Sequence, residues 1–157
     1  MSMTDPQAGR PIAEVRSGDL LGGFFQIHFN LRTTLWSVTS LRAPGKGRVV
    51  ANVDDITLSQ ARMIVSEAGL RRVKRDGRRA VHAWVRGTII AVNSHPCLDG
   101  LTRVSYNPKP KDTDDFDPYF RVQETSGPGR IVTEADRLVL AKPTPDALKG
   151  YGWLRHP

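Results

Sequence analysis

Residues 71–91 read RRVKRDGRRAVHAWVRGTIIA, and the second half of this stretch is written with a period of two. Val81, Ala83, Val85, Gly87, Ile89 and Ala91 fall on one side of an extended chain, and His82, Trp84, Arg86 and Thr88 fall on the other. That is the pattern of a long strand with one face against a core. Gly87 inside the run marks a bulge or bend, because glycine contributes no side chain to a regular strand. Ahead of the run, Asp76-Gly77 supplies the positive φ angles of a two-residue type I′ reversal. Arg71 to Arg79 are therefore predicted to form a tight hairpin whose arms pair directly.

The same period recurs toward the N-terminus. Phe25, Ile27, Phe29 and Leu31 alternate with Gln26, His28 and Asn30, and Trp36 to Leu41 is rich in β-branched and aromatic residues. The two form a predicted hairpin that turns at residues 30–34. After the breaker cluster APGKG at 43–47, Val49, Ala51 and Val53 alternate as a third strand, and Asp54-Asp55 marks the next turn. Thr57 to Glu67 fits two periods. Leu58, Ala61, Ile64, Val65 and Ala68 lie at helical spacing, whereas Thr57, Ala61, Met63 and Val65 line one face of a strand. Three residues after Ser59 stands Arg62, so there is no capping box, and the strand reading is preferred. Leu101 to Tyr106, Tyr119 to Gln123 and Arg137 to Ala141 complete the candidates. Short strands separated by turns predict a mainly β protein, an antiparallel sandwich or small barrel. The expected organisation is one domain over 24–141, a loose N-terminal arm over 1–23 and a C-terminal tail over 142–157.

Composition bounds the function classes. The chain has 157 residues, 39% hydrophobic and 25% charged, as a folded domain requires. Its single cysteine, Cys97, excludes an intramolecular disulfide and any Cys-x-x-Cys metal pair. The first residues lack the apolar core of a secretory signal, and no run approaches the roughly 20 apolar residues of a membrane span. The sequence thus predicts a protein of a reducing cytoplasm, without membrane contact.

Lys and Arg number 23 against 16 Asp and Glu, a formal charge of +7. Such a balance favours a polyanionic partner. Arg71, Arg72, Lys74, Arg75, Arg78 and Arg79 are gathered at the predicted hairpin, where arginine forks match phosphate oxygens. Trp84 and Arg86 follow on one face of the next strand, an aromatic next to a cation, as in platforms that stack unpaired bases. The plainer readings are a solvated ribbon for the arginines and a core role for Trp84. His28, His82, His95 and Cys97 match no zinc spacing, and the carboxylates Asp112, Asp114, Asp115 and Asp117 lack the EF-hand glycine and distal glutamate. No metal or cofactor is expected. No phosphate loop or nucleophile elbow is present, so the sequence predicts no enzyme.

The stretches FNLRTTLWSV, RRVKRDGRRAVHAWVRGTI, VSYNP and EADRLVL together resemble small proteins encoded by tailed bacteriophages. The resemblance implies a context and brings no activity or site residues with it. It implies a phage product in the host cytoplasm, acting on nucleic acid, on a host protein or as part of the virion. The leading expectation is a basic nucleic-acid-binding protein that contacts phosphates through Arg71, Arg72, Lys74, Arg75, Arg78, Arg79, Trp84 and Arg86. The alternative is a protein-interaction or structural component, a virion subunit or an inhibitor of a host protein.

Overall fold

A computed structural model of the chain describes residues 17–42, 45–65, 71, 75, 83–107, 119–122 and 131–155. A short helix, α1 (Ser17–Leu20), precedes β1 (Phe24–Asn30), β2 (Leu35–Thr39), β3 (Val49–Val53), β4 (Ile56–Val65) and β5 (Ala83–Val92). Then come β6 (Leu101–Asn107), β7 (Tyr119–Val122), β8 (Ile131–Val132), β9 (Glu134–Ala141) and β10 (Tyr151–Arg155). All ten strands join one antiparallel sheet in the order β3-β2-β1-β5-β4-β9-β10-β6-β7-β8. The mainly β expectation is borne out.

The sheet curls over its own apolar face. Ile27, Val38, Ile56, Leu58, Ile89, Val104, Leu138 and Leu140 are almost wholly buried in one cluster that draws on strands from both halves of the order. Each such side chain contributes about 1.5–3 kcal/mol by leaving water. The curl is tight where β10 begins. A Cβ at Gly150 would overlap the Trp36 ring and stand 2.7 Å from Phe29 Cδ1, although β10 lies five places from β2 in the sheet. Only glycine lets the backbone pass there. A smaller cluster of Val139, Ala141 and Trp153, joined by Leu98, Leu101 and Tyr151, covers the opposite face of β9, β10 and β6.

β4 explains why its sequence carries two periods. Ser59 faces Thr88 and Arg62 faces Arg86, so two residues of β4, Gln60 and Ala61, stand against Gly87 alone. This is a β-bulge. Gln60 adopts φ +52°, and the extra residue resets the alternation so that Leu58 and Ala61, three apart, both point into the core. Helical spacing in the sequence is thus the signature of an interrupted strand. Gly87 is required opposite the bulge, where a Cβ would sit 3.1 Å from both Leu58 Cβ and the Ser59 carbonyl oxygen. The register toward β9 stays continuous, with Ser59 facing Arg137 and Ala61 facing Ala135, which sets Gln60 against Asp136.

Several boundaries differ from expectation. β1 ends at Asn30, whose side-chain oxygen accepts from the Arg32 and Thr33 amides, so Leu31 lies exposed in the turn instead of continuing the core face. On β5 a second irregularity at Ile90 transfers burial from Ala91 to Val92. The chain beyond Lys142, read as a tail, returns as β10 between β9 and β6, because Trp153 and Leu154 carry enough apolar surface to be drawn into the sheet. In the N-terminal arm, Leu20 is buried in the main cluster. Of the predicted hairpin only Arg71 and Arg75 fall among the described residues, and both have helical backbone, not the extended backbone expected of a hairpin arm. Asp76-Gly77 and Val81 lie outside the described residues.

Candidate nucleic-acid interface

Strand alternation sends Val85, Gly87 and Ile89 inward and Trp84, Arg86 and Thr88 outward from β5. β5 lies between β1 and β4, so its outer residues acquire neighbours far away in sequence. Arg86 stands opposite Gln26 of β1 on one side and Arg62 of β4 on the other. Arg62 in turn faces Glu134 of β9. The result is a row, Glu134–Arg62–Arg86–Gln26, running across four strands on the outer face.

The row has a definite geometry. Arg86 Nε donates to Gln26 Oε1 at 3.0 Å, a partly buried bond that ties the guanidinium to β1. Arg62 Nε lies 3.7 Å from Glu134 Oε2, and both side chains are 68% exposed. An ion pair so exposed contributes little to stability. Arg62 and Arg86 are register partners on adjacent strands, and each guanidinium has its printed contact on the side away from the other, Arg86 on Gln26 of β1 and Arg62 on Glu134 of β9. Partly buried Trp84 lies two residues from Arg86 on the same face, opposite Ile64.

Of the residues expected at the site, Arg86 and Trp84 are thus brought together on one strand face. Arg71 and Arg75 are exposed, each with helical backbone. Arg72, Lys74, Arg78 and Arg79 lie outside the described residues, as do His82 and the acidic loop at 112–117. Arg62, Gln26 and Glu134 were missed. The signal for Arg62 was its outward position in a strand candidate, but its pairing with Arg86 depends on a register that the bulge alters.

A second polar constellation lies at the far end of β4. Asp55 has a side chain only 5% exposed, and its carboxylate accepts from the Ser94 amide at 3.1 Å and the His95 amide at 3.2 Å. His95 Nδ1 is 3.4 Å from the same carboxylate, with the ring 75% exposed. The Asn93 amide donates to the Asp55 carbonyl, and Asn93 Oδ1 accepts from the Asp54 amide. Asn93 and His95 both take left-handed φ, +50° and +48°, to make these bonds. The arrangement clamps the β5–β6 connection to the β3–β4 turn. It borders an open cleft of about 290 Å³ that includes Leu98, Lys142 and Thr144. The turn expected at Asp54-Asp55 is thus the one that the clamp holds.

No described helix is long and apolar enough to cross a membrane. A family described as Mycobacterium phage L5 gene 82 protein matches residues 25–142. The Gene 82 protein of Mycobacterium phage L5 is 32% identical over 78 residues, which cover 50% of this chain and 60% of that relative. The chain therefore aligns with less than two thirds of the relative's length. The expected resemblance to bacteriophage proteins is borne out. No solved structure matches.

Proposed function

Since the chain belongs to the family of the Mycobacterium phage L5 gene 82 protein, we propose that it is a small basic phage protein that binds nucleic acid through the outer face of β4 and β5. Arg62 and Arg86 hold phosphate oxygens there, and Trp84 flanks them. The observation that supports this reading is the direct cross-strand opposition of the two arginines. Two arginines at facing register positions on one sheet face offer charge-assisted hydrogen bonds to the same anion. Arg71 and Arg75, exposed beyond the end of β4, extend the positive surface, in keeping with the net charge of +7.

The test is binding of labelled duplex and single-stranded DNA, followed by fluorescence anisotropy over a range of salt concentrations. Each phosphate contact on a duplex contributes about −0.9 to the slope of log K against log salt. The double variant Arg62→Gln, Arg86→Gln should flatten that slope by about 1.8 and weaken binding to all sequences alike. Its melting temperature should change little, because the Arg62–Glu134 pair is exposed and glutamine keeps a hydrogen-bonding side chain at both positions. A parent protein with no salt-dependent binding to either form, or a double variant with an unchanged slope, refutes the proposal. The first result would favour an acidic protein partner for the same face.

A further inference from the structure

Beside the arginine row the bulge opens a pocket of about 570 Å³, lined by Phe24, Gln60, Arg62, Glu134 and Asp136 over a floor of Ala61 and Ala135. This lies within the range of small-ligand sites, roughly 300–1,000 Å³. Its components are unusual for an outer sheet face. Phe24 opens β1 on the side away from the core, opposite Thr88, and is 48% exposed, whereas Phe25 packs inward. Gln60 holds φ +52°, a conformation that glycine adopts without strain and that costs an L-residue roughly 1–2 kcal/mol. Bulges re-aim side chains. Here the bulged Gln60 and Phe24 line the same pocket.

The lining offers a flat molecule an aromatic ring, an amide side chain and two carboxylates, and its one cation is Arg62, which pairs with Glu134 and leads out to Arg86. An exposed aromatic ring offers a stacking surface. The Gln60 amide both donates and accepts, and the Glu134 and Asp136 carboxylates accept hydrogen bonds from N–H groups. Arg62 joins the pocket to Arg86, so the anionic side of a ligand would point along the row. A duplex keeps its bases stacked and presents no free face to Phe24. A single strand does, because its bases can splay out onto aromatic side chains.

We infer that this pocket receives one unpaired base of a single-stranded nucleic acid, stacked on Phe24 and hydrogen-bonded by Gln60, with its phosphate on Arg62 and Arg86. The inference rests on the nucleic-acid reading above and narrows it to single strands. The probe is a twelve-nucleotide DNA carrying 2-aminopurine, whose fluorescence falls on stacking, compared with the same strand in a duplex at equal salt. The single strand should bind at least about tenfold tighter and quench on binding. Phe24→Ala, at an exposed strand end, should weaken single-strand binding roughly 5- to 160-fold, the range of one base stack, and leave duplex binding unchanged. Gln60→Gly should reduce the single-strand preference while keeping the fold. If the parent binds both forms equally and Phe24→Ala alters neither, the pocket inference fails and the arginine row stands. If neither form binds, both readings fail.

Discussion

Asp55→Ala should destabilise the fold far more than Asp54→Ala next to it. The Asp55 carboxylate is buried and accepts two backbone amides, those of Ser94 and His95. Hydrogen bonds to a charged acceptor contribute about 1.5–3 kcal/mol each, which sets an upper range of roughly 3–6 kcal/mol for the pair. Both donors belong to exposed residues, where water replaces part of what is lost, and the buried charge disappears with its desolvation cost. The expected net loss is therefore about 2–3 kcal/mol. In a chain of this size that corresponds to a fall in Tm of about 4–12 °C. Asp54 is exposed, so its replacement should cost under about 0.5 kcal/mol. Urea denaturation and thermal melting give the global figures, and amide hydrogen exchange at Ser94 and His95 reports the local loosening. Were Asp55→Ala no more destabilising than Asp54→Ala, or exchange at those two amides unchanged, the clamp would not be what holds the β5–β6 connection.

Two further outcomes follow from backbone geometry. Gln60→Gly removes roughly 1–2 kcal/mol of left-handed strain and adds about 0.5–1 kcal/mol of chain entropy to be lost on folding, so it should raise stability by about 0.5 kcal/mol in urea melts. Together with the loss of single-strand preference, that would mark Gln60 as a residue kept for binding at the expense of stability. Gly150→Ala forces a methyl group into the Trp36 and Phe29 rings and should cost about 1–3 kcal/mol, with a changed tryptophan emission spectrum.

The elements were legible in the sequence wherever a strand stays regular, because side-chain direction alternates with a period of two. β1, β3 and the inward face of β5 as far as Ile89 could be placed from that alternation and β2 from its β-branched and aromatic content, and basic composition with outward Arg86 and Trp84 pointed to the face now proposed for binding. Tertiary structure decided what depends on neighbours distant in the chain. The bulge at Gln60 is invisible as such in one strand's sequence, since an inserted residue imitates helical spacing. β10 looked like tail because its few apolar residues have no pattern until β9 and β6 flank them. Arg62 and Arg86 face each other, and Asp55 holds the amides of residues 94 and 95, only because β5 pairs on one edge with β4. Alternation tells each residue which face it occupies. Which residue stands opposite is set by register, and register is a property of the folded sheet as a whole.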